Sequence, residues 1–582
     1  MALRLALAAL ALSAAASMAQ ASCTLSKYAE FPVTMTGLSP LLDASVNGAP
    51  ARFMLDSGAA LSEITPAKAT EFKLSTTRLP PSAAMQGVGG LEFISIAHVK
   101  SFVAAGANFS GILFLVGGNE FWSGAAGLLG QNFLHLGDQE YDLGHGVARL
   151  WKGQGCAGSP LAYWAPQGPY SVVAEAPLDR NNTQARAEAY VNGVKIRVML
   201  DTGSSTSVLS LAAAKRAGID VSSPGVTAAS PMTGLGRHVV SSWIAPVDSF
   251  KFGDEQILHT HLRIGEFSGL DTDMLLGADF LLSHRVLVAD SQGKIYFTYN
   301  GGPVFNLTTT PGANASPDLP IADEAPPTDA AGFGRRAAAR AARRELELAI
   351  ADFSRAIELE PKNPEWLIQR GMVRLRAHQP LLAVPDFDAA LALCPDDTDA
   401  LIARAQGRLM THDAAGALAD LGAADRALPK EAEDRIELAP LYELAGSPLA
   451  AIVQYDLWIK AHSDDAQLAE ALNGRCWERA LLGADLDKAL ADCDAALRRA
   501  PDSWATLDSR GLVRLRQGDY DQAIADYDRV LATQPKSAWS MFGRGLAELK
   551  KGMADQGKAD IAQAEAANPH IAEEAGKYGL KP

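Results

Sequence analysis

Two β lobes followed by an all-α repeat solenoid is the fold class that the sequence predicts. Three observations carry it: one strand-and-turn segment that occurs twice, 145 residues apart; a proline- and alanine-rich stretch after residue 300; and a 34-residue proline register in the remainder.

The repeated segment reads RVMLDTGSSTS at Arg197 to Ser207 and RFMLDSGAALS at Arg52 to Ser62. Each copy runs an apolar strand into an Asp-Ser/Thr-Gly turn, which presents a carboxylate at the tip of a tight bend that glycine permits. The candidate catalytic residues are therefore Asp56 and Asp201, with Ser57, Gly58, Thr202, Gly203 and Ser204 supporting the turns. In the second copy the hydroxyls of Thr202, Ser204 and Ser205 are expected to hold the Asp201 carboxyl oxygens. Ala59-Ala60 takes the place of Ser204-Ser205 in the first copy, which leaves open a first lobe that has lost its chemistry.

These copies sit within a longer repeat. Val46-Asn47-Gly48 recurs as Val191-Asn192-Gly193, a hairpin turn before each aspartate strand. Met85-Gln86-Gly87-Val88-Gly89 recurs as Met232-Thr233-Gly234-Leu235-Gly236, and Gly127 to Leu134 is answered by Met274 to Leu281. Four landmarks in one order, at offsets of 145 to 147, define two homologous lobes.

On these residues the first 300 positions resemble the aspartic peptidases, and the small-lobed retropepsin-like group more than the pepsin-like one. The match rests on Asp56-Ser57-Gly58 and Asp201-Thr202-Gly203, with Leu128-Leu129-Gly130 and Leu275-Leu276-Gly277 downstream. The resemblance implies a closed-barrel-like, pseudo-dimeric pair of lobes with one active site per chain. It implies that Ser57 and Thr202 lock the turns together, and that the flaps lie at Gly87, Gly89, Gly234 and Gly236. Two carboxyls about 3 Å apart cannot both ionise, so they share one proton and act as base and acid together. One carboxylate activates water while its partner polarises the scissile carbonyl, without metal or cofactor.

Met1 to Ala21 carries one early arginine, an apolar run and an Ala-Gln-Ala close, the pattern of a secretory leader. It is too short for a stable membrane span. Cys23 follows without the leucine expected ahead of a lipidated cysteine. Five cysteines remain after cleavage: in an oxidising compartment Cys23 could staple to Cys156 and Cys476 to Cys493, leaving Cys394, and unpaired buried cysteines are the alternative. Gly153-Gln154-Gly155-Cys156-Ala157-Gly158 has the dinucleotide spacing, but the prolines that follow deny it a helix, and it reads as linker. No metal-site spacing or Ser-His-Asp arrangement occurs. Asn306-Leu307-Thr308 would accept a glycan only on a eukaryotic route. A net charge of -15 argues against a nucleic acid partner, and Arg335 to Arg344 reads as a solvated helix face.

Pro361, Pro395 and Pro429 stand 34 apart, as do Pro501, Pro535 and Pro569. Ala383, Ala417, Ala451, Ala489 and Ala523 recur twelve residues before such marks, and Phe353, Phe387, Leu421, Tyr455 and Tyr527 eight before. Gly371, Gly511 and Gly545 fill the small position of the first helix. This period and these positions resemble tetratricopeptide repeats, whose concave face implies a protein partner. Pro385 is expected to kink its helix. The expected organisation is leader 1–21, first lobe 22–155, inter-lobe linker 156–170, second lobe 171–300, linker 301–335 and repeats 336–582. The expected protein is a periplasmic or secreted aspartic endopeptidase acting on peptide or protein, with no stable membrane span. Two alternatives stay open: each lobe pairing with its twin from another chain, and a non-catalytic peptide-binding adaptor.

Overall fold

The computed structural model describes residues 23–80, 84–88, 90–117, 124–178, 183–232, 234, 240–267, 270–305, 327–463, 465 and 467–582. The expected leader, most of the proline-rich linker, Gly89 and Gly236 lie outside the described residues.

Each lobe is built on the hairpin read from the sequence. Ser39–Val46 pairs with Ala49–Leu55 across Asn47-Gly48, and Arg186–Val191 pairs with Val194–Leu200 across Asn192-Gly193. All four turn residues have positive φ, from 50° to 85°, the geometry that favours Asn-Gly. The side chains of Asn47 and Asn192 then accept the backbone amides of residues 100–101 and 248–249, so both lobes tether a distant loop in the same way.

The strand that ends in each aspartate lies parallel to the apolar strand that ends in glycine: Ala49–Leu55 against Gly127–Leu129, and Val194–Leu200 against Met274–Leu276. In the second lobe Arg186–Val191 also pairs with Val240–Phe252, which closes a six-stranded barrel. A shared sheet joins the lobes. Thr24–Thr36, Val147–Gln154 and Asp138–Asp142 come from the first; His284–Ala289, Lys294–Tyr299 and Ser171–Ala174 come from the second. Its central seam is the antiparallel pairing of Asp138–Asp142 with His284–Ala289. There the buried Glu140 carboxylate accepts from Arg285 Nε at 2.9 Å and Arg149 Nη1 at 2.8 Å. Cys23 is bonded to Cys156 at the outer end of this sheet.

Helix starts at Ala330, ahead of the 336 expected, because Asp329 caps it by accepting the Gly332 amide at 2.7 Å. The helix Ala330–Ala342 packs on Thr24–Thr36, and its alanines belong to the same continuous core as both lobes. The basic run is correspondingly not a solvated face. Arg336 and Arg340 both bind Asp352, and Arg343 reaches the carbonyls of Leu282 and Gly301.

Among the described residues seven helix pairs follow one another from Ala330 to Ala567, closed by Ile571–Lys577. The small positions act as expected: a Cβ on Gly371 would lie 2.6 Å from the Phe387 ring, and one on Gly511 2.8 Å from Tyr527. Pro380–Leu393 runs on through Pro385, which removes the backbone hydrogen bond that its amide would donate. Cys476 and Cys493 bridge two consecutive helices, and Cys394 is free and exposed. Among the described residues no helix is long and apolar enough to cross a membrane.

A charge ladder missing from the sequence reading ties these pairs together. Asp386, Asp420, Asp492 and Asp526, on second helices, each accept from two arginines one turn apart on the preceding helix. Arg404, Arg475, Arg510 and Arg544 also reach back to an aspartate of the repeat before. Leu438 and Gln454 break the ladder in the fourth pair, where the buried Arg435 binds Gln454 and Asp425 instead.

Removing one partner of a buried ion pair leaves the other charge stranded. Asp420→Ala should therefore cost about 3 kcal/mol in urea unfolding followed by circular dichroism. Asp388→Ala removes only the exposed partner of Arg404 and should cost less than about 1 kcal/mol.

Candidate active site

Both aspartates are placed by the strand beside them: Asp56 N donates to Leu129 O and Asp201 N to Leu276 O, each at 3.0 Å. In each turn one carboxyl oxygen then accepts two backbone amides. Asp56 Oδ1 takes Gly58 N and Ala59 N, each at 2.9 Å; Asp201 Oδ1 takes Gly203 N and Ser204 N, each at 3.0 Å. This corrects the expectation that side-chain hydroxyls hold the Asp201 carboxyl. Ser204 Oγ turns away to Thr206 O at 2.8 Å. Ala59 serves as well as Ser204 because only its amide is needed, so the alanines do not disable the first turn.

The hydroxyls that matter cross between lobes. Ser57 N donates to Thr202 Oγ1 at 2.9 Å, and Thr202 N donates to Ser57 Oγ at 3.0 Å. Each hydroxyl passes its own proton across the interface, Ser57 Oγ to Leu200 O at 2.8 Å and Thr202 Oγ1 to Leu55 O at 2.7 Å. Both residues are buried. This reciprocal clasp sets the two turns face to face. A Cβ on Gly58 would lie 2.5 Å from the Asp201 carboxyl carbon, and one on Gly203 would collide with the Asp56 carboxyl. The two glycines are thus required by close approach of the opposite carboxyl.

Burial, reinforced by the Asp201 charge, pushes Asp56 well above the ordinary carboxylate range. Burial likewise raises Asp201, against the amides that hold it down. A pair raised in this way titrates as a unit and retains one proton where isolated aspartates have lost theirs. Among the described residues no group of three His, Cys, Asp or Glu side chains is arranged to hold a metal.

A second pair of anchors supports the turns, and the sequence reading assigned it no role. Asn132 Oδ1 accepts Ser62 N and Oγ, and Ser62 Oγ accepts Gly130 N. Asp279 Oδ1 accepts Ser207 N and Oγ, and Ser207 Oγ accepts Gly277 N. The signal was present: Ser62 and Ser207 stand 145 apart, Asn132 and Asp279 147 apart.

Two small apolar clusters include residues of the strands that lead into the aspartates. Leu41, Met54 and Leu128 cluster on the first lobe; Met199, Leu275, Met232 and Phe267 cluster on the second, where Val88 packs against them. Val88 belongs to the turn between strands Ala84–Gly87 and Gly90–Phe93, the expected first flap. Gly234 meets it from the other lobe, since a Cβ there would lie 3.1 Å from Val88 Cβ.

Thr202→Val keeps the shape of the side chain and removes the hydroxyl, stranding the buried Ser57 amide and Leu55 carbonyl. It should destabilise the protein by about 2–4 kcal/mol in chemical unfolding. Ser204→Ala, which leaves Asp201 fully held, should change stability by less than about 1 kcal/mol.

Residues 187–280 match the family model described as "Aspartyl protease", and residues 42–135 match that described as "gag-polyprotein putative aspartyl protease". Solved structures similar to the helical half include a tetratricopeptide repeat protein from Parabacteroides merdae, at 18% identity over 43% of this chain and 98% of that one, with a TM-score of 0.35. MamA is similar at 21% identity over 29% and 96% of the two chains, TM-score 0.24. YrrB, described as a TPR protein with an unusual peptide-binding site, is similar at 15% identity over 39% and 97%, TM-score 0.24. No curated protein matches the chain. The chain joins two lobes, each matched by an aspartyl protease family model, to a region of helical repeats.

Proposed function

We propose that this protein is an exported aspartic endopeptidase with one active site, between its two lobes. The observation that carries this reading is the Ser57–Thr202 clasp, which brings the half-buried Asp56 and the buried Asp201 carboxyls together so that they share a proton. The unprotonated member takes a proton from a bound water as it attacks the scissile carbonyl, and the protonated member donates to the carbonyl oxygen. The backbone amides at each turn hold Oδ1 of each aspartate and leave Oδ2 for this exchange. The apolar clusters and the flap at Val88 favour an extended peptide with bulky apolar side chains on either side of the cleavage point.

The clasp forms within one chain and buries both hydroxyls, which supports one site per chain over pairing with a second copy. The adaptor reading drew on Ala59-Ala60, and the Ala59 amide removes that reason. Two disulfides and the leader-like Met1 to Ala21 support export to the periplasm or beyond. The solenoid supports recruitment of a substrate or partner protein.

The test is cleavage of a diverse peptide mixture across pH 3 to 8 by the mature protein, beside Asp56→Asn and Asp201→Asn. The parent should cleave, and both single variants should lose at least about a thousandfold. Because both carboxyls are raised, activity should persist above the ordinary aspartate range of about 3.9. It should fall towards acid as the second proton binds and towards alkali as the shared proton leaves. Full activity in either variant would exclude a shared dyad.

A further inference from the structure

Behind the first-lobe turn a second polar network crosses between the lobes, and the proposed chemistry does not use it. Gln131 Nε2 donates to Ser57 O at 2.8 Å. That carbonyl only accepts, so the Gln131 amide nitrogen faces it and Oε1 is left as the acceptor for His135, whose Nδ1 lies 2.9 Å away. The shorter of the two contacts at His135 Nδ1 thus fits a proton on that nitrogen; the other is the Gln139 Nε2 atom at 3.4 Å. The other ring nitrogen, Nε2, lies 3.5 Å from Asp290 Oδ2 on the second lobe. Gln139 Nε2 donates to the same oxygen at 3.2 Å, and Gln139 Oε1 accepts from the buried Tyr141 hydroxyl at 2.7 Å.

Asp290 is itself half of a second acid pair. Burial, together with the Asp290 charge, pushes Glu175 up to about 9, so these two carboxyls hold a proton between them. Glu175 Oε1 and Asp290 Oδ1 are buried with no hydrogen-bond partner among the described residues. The neighbouring Asp138 is engaged elsewhere, accepting Ser291 N at 2.9 Å and Ser291 Oγ at 2.6 Å. The second lobe has no counterpart to this network: at the offset of 147, Ala278 stands for Gln131 and Leu282 for His135.

We propose that Gln131 and His135 are positioning residues that anchor the Ser57 peptide, and with it Asp56, to the Asp290–Glu175 pair of the opposite lobe. The two dyad aspartates are then inequivalent. The Asp56 turn has this added hold from the second lobe, while the Asp201 turn is held by the clasp, by its own amides and by the Ser207–Asp279 anchor of its own lobe. The kinetic consequence rests on the peptidase reading; the structural one does not.

The experiment compares the parent with Gln131→Met, His135→Ala and His135→Asn in the full-length protein. Amide hydrogen exchange is read over residues 53–60, and kcat and KM on a cleaved peptide. Gln131→Met keeps the volume and loses the donor. It should speed exchange at the turn at least about tenfold and lower kcat by about ten- to a hundredfold with KM unchanged. His135→Ala should act in the same direction, and His135→Asn, which restores a donor to Gln131 Oε1, should recover part of the loss. Exchange at the turn unchanged in Gln131→Met overturns the proposal. If the parent cleaves no peptide, the peptidase reading falls, and the exchange measurement still decides between an anchored and an unanchored turn.

Discussion

The reciprocal bond between Ser57 and Thr202 is the constraint on which the rest of the N-terminal half depends. Four hydrogen bonds between two short turns fix the distance between the lobes at the point where their carboxyls meet. Without them the mutual repulsion of the two aspartates would oppose their approach. With them, each carboxyl sits over the glycine of the opposite turn, too close for a side chain there. Burial then does the electrostatic work, holding one proton on the pair.

The clasp needs a frame that does not slide. The six-stranded sheet shared by the lobes supplies it, with Glu140, Arg149 and Arg285 satisfied inside its seam. The helix Ala330–Ala342 packs against an outer strand of the same sheet and shares its core. The solenoid therefore starts as part of the body that carries the site, and four of the six later helix pairs are closed by an aspartate held between two arginines. A partner on the repeats would meet a surface held in register with the cleft.

Much of this was legible in the chain itself. The internal repeat exposed the hairpins, the paired turns and their downstream glycines, because each depends on residues with strong local meaning: Asn-Gly for positive φ, Asp-Thr-Gly for a tight turn. The proline register exposed the helix pairs for the same reason. What stayed hidden depends on partners distant in sequence. Ser204 and Thr202 look alike beside Asp201, yet one points home and the other across the interface, and only the facing lobe decides. The Arg–Asp ladder is spaced by 16 or 17 residues within a repeat, a distance no single helix turn reveals. The basic run looked solvated because its acceptors, Asp352 and the carbonyls of Leu282 and Gly301, lie on other elements. Gln131 and His135 gave no signal, since their use depends on Asp290 about 155 residues onward.

The central claim is that Asp56 and Asp201 titrate as one pair. Carbon-13 NMR of aspartate carboxyls, assigned by the two Asn variants and followed from pH 2 to 9, tests it most directly. The account predicts two resonances that move together in two steps, with the second step above the ordinary aspartate range. Replacing either partner by asparagine should change the titration of the other. Two independent single steps near the usual aspartate value, each unaffected by the other's replacement, would contradict it.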